Sequence, residues 1–171
     1  MASNKFKQDQ FVVYPMQGVG KIVNIEEQVV AGQKIQLLVI ELAREKIVLR
    51  VPVERTDILG LRPLVSQKEM SEAIASAKQP PASKRMIWAR RAAQYEEKIN
   101  SGNPAELADV IRDLQRRAAD DPMTFSGRKL YIRALERMAE EFAVLHKIEL
   151  KEAEEEIEGL LGVPKEADIN A

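Results

Sequence analysis

The chain has 171 residues, enough for one large domain or two small ones, with 45% hydrophobic and 31% charged residues and a formal charge of -1. It has no cysteine, which excludes disulfide frameworks and thiolate chemistry, and fits a reducing compartment. Residues 1–10 are polar and lack the apolar core of a signal peptide. No apolar run reaches the length of a membrane span, so a cytoplasmic, membrane-free protein is expected.

The first part of the chain reads as β. Phe11-Val12-Val13-Tyr14 is a short apolar run ended by Pro15. Gly18 and Gly20 flank Val19 and suit a turn or bulge before the strand Lys21 to Glu26. They lack the spacing and lysine of a phosphate-binding loop. Ala31-Gly32 turns the chain, Ile35 to Leu42 is rich in branched residues, and Ala43-Arg44-Glu45 turns it again into Ile47 to Pro52. Close-spaced strands punctuated by Gly and Pro predict a small, curved antiparallel sheet or barrel. Arg50 lies on the last strand. It has two readings, a partner contact at a sheet edge or a solvated arginine beside Glu54.

The period then changes to helical. Ser66 and Glu69 have capping-box spacing, which predicts a helix from Ser66 towards Lys78. Pro80-Pro81 separates it from the stretch Lys84-Arg85-Met86-Ile87-Trp88-Ala89-Arg90-Arg91, which holds the only tryptophan and opens the next helix. Trp88, Ala92, Tyr95 and Ile99 share one face, while Arg90, Arg91, Gln94 and Lys98 supply much of another. Trp88 is therefore either a core ring or a ring supported at its base and exposed at its tip, with arginines placed to meet a phosphate backbone. Residues 84–102 carry five cations against two acids, a local +3, whereas residues 150–171 carry two against seven, a local -5.

Ser101-Gly102 ends that helix. Asn103-Pro104-Ala105-Glu106 starts another, with Leu107, Val110, Ile111 and Leu114 as its packing face. Asp109, Asp113 and Arg116 have the spacing of a salt-bridged surface. Asp120-Asp121-Pro122 is read as a loop, and Ser126 as the cap of a long helix through Leu130, Ile132, Leu135, Met138 and Phe142. A last helix is expected from about Glu149 to Leu161. The lone His146 has no cysteine partner, and no metal, nucleotide or redox-cofactor motif stands out. No catalytic residue, metal site or cofactor is assigned, and the chain is not read as an enzyme. The pattern gives an α+β chain: a small β domain over 1–60, a compact helical domain over 66–162, and a flexible tail over 163–171.

The order and spacing of several strings resemble the CarD/CdnL family of bacterial RNA-polymerase-binding transcription regulators. These are Phe11-Val12-Val13-Tyr14-Pro15 with Gly18-Val19-Gly20, then Leu49-Arg50-Val51-Pro52-Val53-Glu54 with Gly60-Leu61-Arg62. Trp88-Ala89-Arg90-Arg91, Lys98 to Gly102 and Val110 to Leu114 follow. The resemblance spans roughly residues 6–162. It implies a Tudor-like first domain that binds the RNA polymerase β subunit, with Arg50 on the polymerase-facing surface. It also implies a helical domain at the upstream edge of the promoter bubble, stabilising the open complex. There Trp88 would be a minor-groove wedge and Arg90 and Arg91 its DNA-facing neighbours. The loop Gln28 to Gly32 departs from relatives that carry basic residues there. Near-neutral charge points to weak or no autonomous DNA binding, with polymerase supplying a high local DNA concentration. A monomer is expected. A protein-only adaptor, linking polymerase to a second protein without touching DNA, is the competing reading.

Overall fold

The computed structural model describes residues 5–78, 87–120 and 124–162, with side chains described as far as residue 115 in the second stretch. Pro80-Pro81, Lys84, Arg85, Asp121, Pro122 and the expected tail 163–171 lie outside the described residues. The chain forms two units, one ending at Leu64 and one beginning at Val65.

The first unit is a five-stranded antiparallel sheet. Strands β1 (Phe11–Tyr14), β2 (Gly18–Val30), β3 (Gln33–Leu42), β4 (Val48–Pro52) and β5 (Arg62–Pro63) lie in the order β4-β3-β2-β1-β5. The alternation of side chains sends Val12, Ile22, Leu38, Ile40, Leu42 and Val51 to one core, joined by Phe6 and Leu61. The β2–β3 hairpin is longer than its apolar pattern suggests. Its tip, including Val29 and Val30, is exposed, so no burial signal marks where pairing stops. The two-residue turn Ala31-Gly32 has φ of 51° and 79°, the left-handed geometry whose twist suits tight hairpins.

Gly18 and Gly20 are not the turn itself. Pro15-Met16-Gln17 makes it, Gly18 opens β2 with φ 101°, and the register shift falls later, between Ile22 and Asn24. Gly20 is needed for space: a Cβ there would lie 2.5 Å from Ile40 Cγ2. After β4 the chain makes a 3-10 turn, Val53–Arg55, and a single helical turn, α1 (Thr56–Leu59), before β5 returns to pair with β1. The sequence pattern did not show these short elements, because two to four residues carry no measurable period.

The second unit is all-helical: α2 (Gln67–Ser76), α3 (Trp88–Ser101), α4 (Pro104–Asp120), α5 (Phe125–His146) and α6 (Leu150–Leu160). The capping box is formed, with Ser66 accepting from the Glu69 amide and Glu69 accepting from the Ser66 amide, both at 3.1 Å. Asn103 Oδ1 accepts from the Ala105 amide at 2.9 Å, and Pro104 occupies the first turn, where its missing N–H costs nothing. The next cap differs from expectation. Thr124, not Ser126, caps α5 by accepting from the Gly127 amide at 3.1 Å. Asp120, expected in a loop, closes α4. One core runs through Met70, Ile99, Leu107, Ile111, Leu135, Met138, Phe142 and Ile157, with α5 packed against α3, α4 and α6. Ile132, counted in the apolar pattern of α5, is 43% exposed.

Candidate nucleic-acid and polymerase surfaces

Trp88 opens α3, with the exposed Arg90 two residues on. Ile87 precedes the helix without a side-chain cap, and the first turn contains no acid. Trp88 is 39% exposed, between a core ring and a free one. Two contacts hold it. Its ring meets Tyr95 edge-on, with centroids 6.5 Å apart at 63°, about two turns along the same stripe. Its six-membered edge faces Gly127 on α5, where an added Cβ would sit 3.4 Å from Cη2 and 3.8 Å from Cζ2. The far edge of the indole lies towards Gly127, and the residue as a whole is neither covered nor free.

Tyr95 itself is buried, and burial, followed by the Asp113 carboxylate, pushes its phenol up to about 12, against the pull of Arg91 and Arg112. It is therefore neutral and uncharged support for Trp88 near neutral pH.

The two arginines after Trp88 part company. Arg90 is exposed. Arg91 is 7% exposed and lies on the inward stripe with Tyr95 and Ile99. Position 91 is three residues after 88 and four before 95, which is the spacing of one helical face. Charge alone had grouped it with Arg90. Lys98, at the far end of α3, is engaged with Asp109 at 3.7 Å. Asp109 also meets Arg112 at 3.4 Å, and Asp113 meets Arg112 at 3.0 Å, so these carboxylates form a salt-bridged surface.

Sequence reasoning missed Gly127 on α5, which faces the indole. Gly127 does not figure in the sequence reading, and Phe125 lies outside the apolar stripe of α5. That second fact is itself a signal: an aromatic five residues before Leu130 does not share its face. Phe125 is 77% exposed, with Lys129 Nζ 4.6 Å from its ring centroid.

In the β unit Arg50 stands on β4, an edge strand, directly opposite Val39. Its partner is Glu26 on β2, not Glu54: Nε to Oε2 is 3.3 Å, reaching across β3. The Arg50 side chain remains 53% exposed, so the pair leaves the guanidinium open to a further acceptor. Five donors on one guanidinium allow an internal carboxylate and an external one together.

His146 stacks on Phe142 at 4.2 Å and is exposed at the end of α5. Among the described residues no group of His, Cys, Asp or Glu is arranged to hold a metal ion, and no helix is long and apolar enough to cross a membrane.

The chain thus has two compact units, one with an exposed edge-strand arginine and one with a half-exposed tryptophan next to the exposed Arg90. The comparisons give the family. Residues 6–65 match the CarD-like/TRCF RID domain, and residues 72–158 match the CarD C-terminal domain. The chain is also 26% identical over 141 residues to the Bacillus subtilis (strain 168) protein named "Putative transcription factor YdeB", covering 82% of this chain and 92% of that protein. The chain belongs to the CarD family, whose members are non-enzymatic transcription regulators associated with RNA polymerase.

Proposed function

We propose that this chain is a non-enzymatic regulator that binds the RNA polymerase β subunit through its β unit and stabilises the promoter open complex through its helical unit. Arg50 is the polymerase contact. Trp88 faces DNA at the upstream edge of the bubble, with Arg90 beside it on the phosphate backbone. Arg91 serves by holding the start of α3 in place and so positions the other two.

The observation that carries this reading is the partly exposed, doubly supported Trp88. A ring held by Tyr95 and Gly127 keeps little rotational freedom to lose when it enters a distorted groove. Unstacking a base step costs about a few kcal/mol, and an aromatic wedge offsets that cost only in the opened state. Preferential binding to the opened state raises its population and slows its collapse. DNA engagement is weak without polymerase, which supplies the DNA at high local concentration.

The test uses purified polymerase, a promoter fragment and the full chain. Trp88→Leu keeps an apolar side chain over Gly127 and Tyr95 but removes the flat ring. It is expected to shorten the open-complex lifetime by about tenfold, the lower part of the range for one lost aromatic–base contact. Trp88→Ala is expected to do the same with an added loss of stability. An unchanged lifetime with folded Trp88→Leu refutes the wedge role.

The adaptor reading has one observation in its favour: the formal charge of -1 is low for a DNA ligand. Footprinting separates the two. Added protection at the upstream bubble edge supports DNA contact, and polymerase binding without that protection supports the adaptor.

A further inference from the structure

Helices α3 and α5 are tied at a second place besides the indole and Gly127. Arg133, six residues after Gly127 on α5, reaches to α3 with both ends of its guanidinium. Nη1 donates to Glu96 Oε1 at 3.0 Å, and Nη2 donates to Asn100 Oδ1 at 3.5 Å. Glu96 and Asn100 stand about one turn apart. Each follows a buried residue, Tyr95 and Ile99, so together they border the inward stripe of the helix. The rise of a helix puts this bridge about 12 Å along α3 from Trp88 and about 9 Å along α5 from Gly127.

One contact leaves a helix free to pivot on its neighbour, whereas two contacts spaced along both helices fix angle and register. Gly127 has no side chain with which to grip the indole, so its place against the ring depends on how α5 lies on α3. The shared core through Ile99, Leu130 and Ala134 holds the helices together, but apolar contact is non-directional. The Arg133 fork supplies the direction, because both acceptors must meet one planar guanidinium. A slide of one turn would move Nη1 from the Glu96 carboxylate to the neutral Asn100 amide, a weaker acceptor. The bridge adds little to stability, since Arg133 and Glu96 are 42% and 53% exposed. Its distinctive effect is on geometry.

We infer that Arg133 is a positioning residue: by bridging Glu96 and Asn100 it sets α5 on α3 so that Gly127 lies against the indole and Trp88 is held in its half-exposed pose. The use of that pose on DNA rests on the function proposed above.

The experiment uses the full chain and two readouts. Trp88 is the only tryptophan, so the emission wavelength and acrylamide quenching of the free protein report its pose. Open-complex lifetime with polymerase and promoter reports the use of that pose. Arg133→Gln is expected to melt near the wild type, to red-shift the emission and to increase the quenching. It should shorten the lifetime about threefold, an equilibrium shift within reach of one exposed ion pair. Glu96→Arg combined with Arg133→Glu rebuilds the bridge in reverse, with the Asn100 amide able to donate to the relocated carboxylate. This exchange should return both readouts to wild-type values. Unchanged emission and quenching in Arg133→Gln overturn the inference whatever the lifetime does. A lifetime that the exchange fails to restore while the emission recovers also overturns it, because Arg133 then acts through its own charge. If Arg133→Gln shifts the emission but only Trp88→Leu shortens the lifetime, the positioning role is overturned and the function proposed above stands. If the exchange restores the emission and neither Arg133→Gln nor Trp88→Leu alters the lifetime, Arg133 still sets the pose of Trp88 and the wedge role falls.

Discussion

Arg90 and Arg91 offer a sharp test of the helical unit, because adjacent residues of the same type are assigned opposite jobs. Each is replaced by glutamine, whose helix propensity is close to that of arginine, so the comparison isolates the side chain. Arg91 is 7% exposed, on the stripe that carries Tyr95 and Ile99. Removing a buried, engaged cation costs about 3 kcal/mol. For a unit of this size that corresponds to a fall in Tm of roughly 15 °C. Arg90 is exposed, and its replacement is expected to change stability by less than about 0.5 kcal/mol. Its loss appears elsewhere: one phosphate contact fewer lowers the salt dependence of DNA engagement by about 0.9 in the log–log slope. Thermal melts of the full chain, followed by far-UV circular dichroism, measure the first quantity. The salt dependence of promoter protection in the polymerase complex measures the second. Wild-type melting of Arg91→Gln with weakened DNA engagement would refute the assignment, and so would a destabilised Arg90→Gln with an unchanged salt slope.

Two further outcomes are expected. Arg50→Glu sets two carboxylates beside each other at the Glu26 site. The exposed pair it replaces contributes about 0.5 kcal/mol or less, so the β unit stays folded while polymerase affinity falls by about tenfold; equal affinity in a direct binding assay removes Arg50 from the contact. Tyr95 gives a pH signature. Its folded phenol is raised to about 12 from an ordinary value of 10.0, so the stability it contributes is full below pH 10 and is lost as pH rises towards 12. Tyr95→Phe should flatten part of that alkaline decline, with Tyr131, also raised chiefly by burial, retaining the rest; an unaltered slope in Tyr95→Phe counts against the buried phenol.

Much of this was legible along the chain. The branched-residue run Ile35 to Leu42 forms a strand as expected, and the Ser66-x-x-Glu69 box and the Asn103-Pro104 start appear because each is decided by contacts within a few residues. The short return strand Arg62–Pro63 was not legible, since its only reason to form is pairing with Val12 and Val13, some fifty residues earlier. The same holds for Arg50, whose partner on β2 is 24 residues away rather than the neighbouring Glu54.

The sequence by itself determined that a lone tryptophan opens a helix among cations, and that this helix belongs to a helical unit following a small sheet. Which cation faces out, and how far the tryptophan is exposed, were decided only in three dimensions. A helical period assigns a residue to a face, but whether that face is inner or outer depends on what packs against it. Tyr95 supports Trp88 from the same helix, and Gly127 seats it from a helix that begins 37 residues later. Only the packing of α5 on α3 brings that glycine to the indole.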